Sequence, residues 1–428
     1  MSSIVLDRCV AAPARPVSLA ETRVALLGCG NVGRAFAHLA ASPPCGTRRL
    51  RITCALVREL QRTRPLPVPA LTADARQLWR HPPDVCVELL GGLEPARSLV
   101  LEALARRIPV VTANKSLLAR HGGELRETSR AMGTTLLYEA AVIAGVPFLG
   151  TFSRRRRAAT VTGLVAIANG TSNFVLSRCA RDGYRLGDAL AEAQRHGYAE
   201  PDPRSDVSGA DACEKLVVLL QHFAHVDVSP EVIETYGLDD IGQHQPSHAR
   251  ELGGVLKPVI VAHWHGATIE AFVGPAFVTA DHPLSRVEGV ENAIVLNTPR
   301  GRLRFQGPGA GPEVTAATVL DDVEEALSVV AAPCHQPLAH ATVASPETGW
   351  LVTLEGTRLP SFLDVADLLA SHGLFAHRVT ATHTLDARES RSLLLWPARR
   401  HVMQRAIAAL CAATGCRATA LRALEEAR

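Results

Sequence analysis

A short apolar segment, Arg23-Val24-Ala25-Leu26-Leu27, runs directly into Gly28-Cys29-Gly30-Asn31-Val32-Gly33, and a helical pattern follows from about Arg34 to Ala41. This strand, GxGxxG turn and helix limit the fold more than any other feature of the chain. The first glycine makes a tight turn, the second lets the backbone come close to a pyrophosphate, and the third lets helix and strand pack closely. The free N–H groups and positive dipole of the helix N-terminus then favour the phosphates. A glycine-rich turn alone has steric explanations; flanked by this strand and this helix, it predicts a dinucleotide site in a Rossmann-type unit.

The pattern continues in the same sense. Leu50 to Val57 and Asp84 to Leu90 read as strands, the second ending in Gly91-Gly92; a helix spans Pro95 to Arg106 and leads to the strand Val110-Val111-Thr112. Alternation of this kind predicts a parallel, doubly wound sheet. The second strand ends in Val57-Arg58-Glu59-Leu60-Gln61-Arg62-Thr63-Arg64. An acid there holds the ribose 2′-hydroxyl of NAD, whereas an arginine accommodates the 2′-phosphate of NADP. Arg58, with Arg62 or Arg64 behind it, favours NADP, and Glu59 leaves the choice open. The turn Thr112-Ala113-Asn114-Lys115 lies at the carboxyl end of a strand, where open α/β sheets bind ligands.

Composition excludes several classes. The 428 residues, 47% of them apolar, suffice for two or three domains with real cores. A formal charge of +3 is too balanced for a nucleic-acid surface, and the run Arg154 to Arg157 reads as a solvated turn. Ten cysteines without a CxxC pair read as reduced thiols of a cytoplasmic protein. Neither a signal-peptide core nor an apolar run of about 18 residues occurs, so no membrane partner is expected. His263 and His265 share a strand face, but nothing beside them completes a zinc set, and they read as structural.

Against 42 arginines stand only three lysines, Lys115, Lys215 and Lys257. Arginine stays charged at any working pH, while a lysine ammonium is compact and can be tuned to release a proton, so the retained lysines mark candidate proton donors. Lys257, before the apolar run Pro258 to His263, is read as structural. Lys215 follows Glu200, Asp202, Asp206 and Asp211, and on a helix from Asp211 to Phe223 it stands one turn beyond Asp211. Such spacing often gives an ordinary surface ion pair; the apolar continuation Leu216 to Leu220 argues against that here. Several carboxylates and one lysine are what a site needs to hold an amino acid's ammonium and move a proton. Two further signals are Glu139, isolated in an apolar run and therefore paired, protonated or cation-bound, and the polar loop Asn169-Gly170-Thr171-Ser172-Asn173 ahead of a helix from about Phe174, whose residue types suit a helix cap and whose extent suggests that it also faces a ligand.

Taken in order, these motifs resemble those of the homoserine dehydrogenase family over about residues 22–330. They are GxGxVG, Thr112 to Lys115, Glu139-Ala-Ala-Val142, Asn169-Gly170-Thr171, Gly197-Tyr-Ala-Glu200, the Asp206, Gly209, Asp211, Lys215 series, and Gly307-Pro308-Gly309-Ala310-Gly311. The resemblance implies NAD(P)-dependent interconversion of L-homoserine and L-aspartate 4-semialdehyde, on the route to threonine and methionine. It implies Lys215 as acid/base, Lys115 as its partner toward cofactor and substrate, and Glu200, Asp211, Asp206, Gly170 and Thr171 around the amino acid. The cofactor contacts it implies are Gly28, Gly30, Asn31, Val32, Gly33, Arg58, Gly91, Thr112, Lys115, Gly309 and Gly311. A monovalent cation such as sodium is implied at Glu139 with the carbonyls of Val142, Ala144 and Val146, and a homodimer or higher homo-oligomer is implied as the assembly. Two departures stand out: Val314 occupies the place of a proline common in the bacterial pattern, and Pro312 follows Gly311 directly.

The expected class is α/β, in four parts. An irregular leader covers 1–21, a Rossmann domain 22–150, and an α+β catalytic and dimerisation domain 151–330, with about 300–330 returning to the cofactor domain. Residues 345–428 read βαββαβ and resemble an ACT domain, although Leu359-Pro360-Ser361 lacks the glycine usual in its first loop. Two alternatives stay open: a catalytically weak amino acid or dinucleotide sensor, which loss of Lys115, Lys215, Asp211 or Glu200 would have favoured, and a dehydrogenase of a related amino-acid semialdehyde.

Overall fold

The computed structural model describes residues 20–42, 48–61, 70–154, 160–239, 241–328, 336–385 and 387–425. The first sheet contains β1 (Ala20–Leu27), β2 (Arg48–Leu56), β3 (Leu71–Thr72), β4 (Val85–Glu88), β5 (Val110–Thr112) and β6 (Leu136–Leu137), all parallel, in the order β3-β2-β1-β4-β5-β6. This is a doubly wound order that reverses between β1 and β4, the place where such sheets bind ligands. Helices α1 (Asn31–Ala41), α2 (Ala96–Ala105) and α3 (Lys115–Met132) connect its strands. β4 and β5 are buried along their length, as strands covered on both faces must be. β1 begins at Ala20, so the irregular leader is two residues shorter than expected, and the rest of it lies outside the described residues, as do Arg62, Arg64 and Arg155 to Arg157.

Beyond α4 (Leu149–Arg154) come β7 (Gly163–Ile167), the first strand along the chain of a mixed sheet, helices α5 (Gly170–Asp182), α6 (Leu186–Arg195), α7 (Arg204–Val207) and α8 (Ala210–Phe223), and a short strand β8 (Val226–Asp227) outside that sheet. Then follow β9 (Glu234–Thr235), α9 (Gln245–Glu251), β10 (Gly254–His265), β11 (Thr268–Thr279), β12 (Glu291–Thr298) and β13 (Gly301–Pro308). Helix α5 starts four residues earlier than expected, because the Asn169 side chain accepts the Ser172 N–H at 2.8 Å and draws the polar loop into the first turn. Lys257 sits inside β10, its ammonium on the Val287 carbonyl at 2.6 Å, and burial pulls its pKa down to about 8. β13 belongs to this sheet, so the return to the cofactor domain starts only after Pro308. It is made by α10 (Pro312–Ser328), whose Ala316, Val319 and Val323 share one core with Val24, Phe36 and Val87.

The C-terminal part adds β14 (Ala339–His340), which pairs with β8, and β15 (Thr342–Ala344), on β11. It continues with β16 (Thr348–Gly356), α11 (Phe362–Ser371), β17 (Ala376–Val379), β18 (His383–Leu385), β19 (Arg388–Ala398), α12 (Arg400–Thr414) and β20 (Arg417–Leu424). Apart from the added hairpin strand β18, this is a ferredoxin-like βαββαβ order. It is not a detached module. The edge of β20 pairs with β11, so that among the described residues twelve strands form one sheet with the spine β13-β12-β7-β10-β11-β20-β16-β19-β17. Pairing covers an edge that otherwise presents open N–H and C=O groups.

Arg422 fastens this seam. It is 1% exposed, its guanidinium meets both oxygens of Glu234 at 2.8 and 2.9 Å, and it lies between the rings of Phe272 and Trp350. Arg422→Met leaves the buried Glu234 carboxylate with the Ser345 hydroxyl and the more distant Arg400 guanidinium, at 3.7 Å, and is expected to cost about 3 kcal/mol in urea unfolding, while adding Glu234→Leu recovers most of that loss. Equal stability of the single variant and the wild type contradicts this assignment.

Candidate functional site

Two ammonium groups converge on one carboxylate. Lys115 is the first residue of α3, at the C-terminal edge of the parallel sheet, and its Nζ stands 3.1 Å from Asp211 Oδ1. Lys215, one turn along α8, donates to Asp211 Oδ2 at 2.8 Å and to the Ala168 carbonyl, just past β7, at 2.6 Å. Lys215 and Asp211 are buried, with 9% and 7% of their surfaces exposed, so this is no surface ion pair. Burial alone would raise the Asp211 carboxyl; Lys215 and Lys115 outweigh it and hold the group at about 2. Burial likewise opposes the charge on Lys115, but Asp211 outweighs it and raises that pKa.

Asn169 completes the cluster. Its Nδ2 donates to Asp211 Oδ2 at 2.9 Å and to Asp206 Oδ1 at 2.8 Å, while its Oδ1 caps α5. The sequence suggested a helix cap in a loop that faces a ligand but not the bridge to two carboxylates; a residue type that offers a donor and an acceptor at once was the available signal. The Ser116 hydroxyl, donating to Glu214 at 2.7 Å, ties α3 to α8 beside the lysines.

Several expected residues play other parts. The Thr171 hydroxyl donates to the Tyr198 carbonyl at 2.6 Å and so fastens the Gly197–Glu200 turn. Glu200 is exposed, and among the described residues its carboxylate has no hydrogen-bond or ion-pair partner. The Thr112 hydroxyl is fully buried and donates to Glu88, so it is not directed at a cofactor. Asp211 has three of its roughly four lone-pair positions taken by Lys115, Lys215 and Asn169. Gly170 lies against the Val290 carbonyl, 2.9 Å from where a Cβ would stand.

The glycine-rich turn has the geometry that its motif requires. Gly28 has φ +99°, and a Cβ on it would lie 2.5 Å from the Leu89 carbonyl oxygen; one on Gly33 would lie 2.3 Å from that of Gly28. A Cβ on Gly30 would meet nothing within 4 Å, which leaves the approach open above the N-terminus of α1. Asn31 and Arg58 are exposed and Val32 half-buried around this opening; Gly91, at φ +71°, and Gly311, at φ +124°, are also free of close neighbours. Gly309 differs, since a Cβ there would overlap the Asn292 carboxamide, and its own carbonyl accepts the Ala144 N–H at 3.3 Å. The residues fit a dinucleotide.

At the expected cation site several of the polar groups already have partners within the chain. Both Glu139 carboxylate oxygens accept backbone N–H groups, from Phe148 and Leu149 at 2.8 Å and from Gly150 at 2.7 Å, and the Ala144 carbonyl accepts the Thr318 hydroxyl. These donors oppose the effect of burial without cancelling it, and the carboxyl stays raised, with Glu325 nearby adding to the rise.

Residues 28–139 match the family model described as homoserine dehydrogenase, NAD binding domain, and residues 147–323 match the one described as homoserine dehydrogenase. A homoserine dehydrogenase of Synechocystis sp. is 34% identical over 326 residues, which cover 74% of this chain and 75% of the relative. The chain belongs to the homoserine dehydrogenase family. It is accordingly an NAD(P)-dependent oxidoreductase. The homoserine dehydrogenase of Bacillus subtilis is 33% identical over 70% of this chain and 72% of its own. Among solved structures, the homoserine dehydrogenase from Thiobacillus denitrificans superimposes with a TM-score of 0.83 at 30% identity, covering 95% of this chain and 98% of that one, so the likeness extends into the C-terminal part. A hyperthermophilic archaeal homoserine dehydrogenase in complex with NADPH gives a TM-score of 0.61 at 25% identity, over 72% of this chain and 97% of that one.

Two measurements check this geometry. Gly33→Ala is expected to lower the melting temperature or prevent folding, whereas Gly30→Ala keeps the melting temperature and weakens NADPH binding at least about tenfold by fluorescence titration. The folded-state pKa of Asp211 is depressed, so its stabilisation is present above its unfolded value near 4 and is lost as pH falls toward about 2. Between those limits the wild type should lose roughly 2 kcal/mol more than Asp211→Asn in urea unfolding; parallel profiles contradict the assignment.

Proposed function

We propose that this chain reduces L-aspartate 4-semialdehyde to L-homoserine, reversibly, in threonine and methionine biosynthesis. The observation that carries the reading is the buried Asp211 carboxylate shared by Lys215 and Lys115. When bound, the nicotinamide supplies the hydride that adds to the aldehyde carbon. The carbonyl oxygen then gains negative charge, and Lys215 Nζ gives it a proton, becoming a neutral amine that solvent reprotonates. Asp211 and the Ala168 carbonyl aim that ammonium, and Lys115 adds positive charge beside it. In the oxidative direction Lys215 takes the hydroxyl proton back. The free carboxylate of Glu200 and the partly exposed Asp206, with Asp211 behind them, offer negative charge to the substrate ammonium. The first-turn amides at Gly170 and Thr171 offer donors to its carboxylate.

Further parts of the reading are finer. NADP is the preferred cofactor, because Arg58 stands exposed two residues beyond β2, where a 2′-phosphate is met. Lys115 serves the cofactor as well as the substrate. The chain divides into a cofactor domain over 20–150, which helix α10 (Pro312–Ser328) rejoins, a substrate domain from 151 to Pro308, and an ACT-like part over 345–428; it assembles as a homodimer or higher homo-oligomer, as the resemblance implies.

The test follows NADPH, then NADH, by absorbance with L-aspartate 4-semialdehyde. The wild type should oxidise NADPH faster than NADH. Lys215→Ala should lower kcat about 10²- to 10⁴-fold with NADPH affinity within about threefold, and Lys215→Arg should not restore it. Arg58→Ala should raise KM for NADPH about tenfold and leave KM for NADH unchanged. A folded wild type that binds NADPH but does not turn over this aldehyde contradicts the reading.

A further inference from the structure

Glu88 ends β4 with a carboxylate that is completely buried. Its oxygens accept the Leu90 N–H at 2.8 Å, the Thr112 hydroxyl, and Asn114 Nδ2 at 3.4 Å. Burial raises this carboxyl, and hydrogen bonds from Thr112, Leu90, Asn114 and Gly91 oppose the rise. All its neighbours in this network are neutral donors. A buried carboxylate held in that way is costly to the fold, and an apolar side chain of similar size would fill the end of a buried strand at lower cost. The group therefore needs an explanation other than stability.

Its bonds lead to both turns that face the cofactor side. Thr112, which donates to Glu88, accepts the Asn114 N–H at 3.0 Å. Asn114 donates to the Gly92 carbonyl at 2.7 Å and caps α3 by accepting the Leu117 N–H at 3.1 Å. The next residue is Lys115, whose ammonium reaches Asp211. One carboxylate thus fixes the hydroxyl, the carboxamide and the helix cap that set where Lys115 leaves the sheet edge.

We propose that Glu88 is a positioning residue for Lys115: its carboxylate locks the turns after β4 and β5 together and so sets where the Lys115 ammonium stands relative to Asp211 and Lys215. This rests on the role given to Lys115 under Proposed function. Glu88→Gln, which keeps the shape but replaces one acceptor by a donor, is expected to lower kcat about 10- to 100-fold while NADPH affinity stays within about threefold. Thr112→Val should reproduce that loss, and Thr112→Ser, which keeps the hydroxyl, should restore kcat to within about threefold of the wild type.

A second readout needs no turnover. The chain has three lysines, so ¹⁵N-lysine labelling follows few ammonium groups, and the Lys115 signal is assigned with Lys115→Arg. Glu88→Gln and Thr112→Val should both move the Lys115 signal and leave that of Lys257 in place. An unmoved Lys115 signal in the folded variants overturns the proposal, as does a kcat within twofold of the wild type in both. If the wild type itself does not reduce L-aspartate 4-semialdehyde, the substrate reading fails, and the ammonium spectra still decide what Glu88 does.

Discussion

One carboxylate held between two lysines organises this protein. Asp211 lies on α8, Lys115 opens α3 at the edge of the parallel sheet, and Lys215 reaches the end of β7, so a single buried group ties the cofactor sheet to the mixed sheet. Neither ammonium could be taken out of water so far without that negative charge, and the carboxylate could not remain ionised without them. The mutual requirement explains why Asp211 is held at about 2 although it is buried. It also explains why two lysines survive in a chain otherwise given over to arginine. Two planar guanidinium forks need more room around one carboxylate than two compact ammonium groups do.

Lys257 belongs to the same logic for a different reason. Its ammonium is folded onto the Val287 carbonyl inside β10, where no catalytic group needs it. Lysine is thus retained at two buried positions, Lys215 and Lys257, and at the partly exposed Lys115, and the two proposed for catalysis are a subset of these. The scarcity of lysine pointed to the two residues proposed for the site, and the motif context around each one separated them from the third.

Much of the cofactor half was legible because glycine requirements are local. A Cβ at Gly28 or Gly33 meets backbone in the adjoining strand or turn, so the motif describes a steric fact that needs no tertiary knowledge. The Asp211 and Lys215 pair was legible for the same reason, being one helical turn apart. What sequence could not supply were partners distant along the chain. Asn169 looked like a helix cap and is one, yet its other end bridges Asp206 and Asp211. Glu139, isolated in an apolar run, was open to pairing, protonation or a cation, and the resemblance implied the cation; the N–H groups of Phe148, Leu149 and Gly150 that meet it become visible only when the chain turns back on itself. The C-terminal βαββαβ order was legible from alternation, whereas the pairing of β20 with β11 joins segments far apart and appears only in three dimensions.

The central claim is that Lys215 moves the proton, with Asp211 and Lys115 fixing its aim. A crystal structure of the ternary complex with NADP⁺ and L-homoserine tests it most directly. If Lys215 moves the proton, the substrate hydroxyl lies within about 2.6–3.2 Å of Lys215 Nζ, with the carbon that bears it facing the nicotinamide. A hydroxyl hydrogen-bonded elsewhere, with Lys215 still turned onto Asp211 and the Ala168 carbonyl, contradicts it.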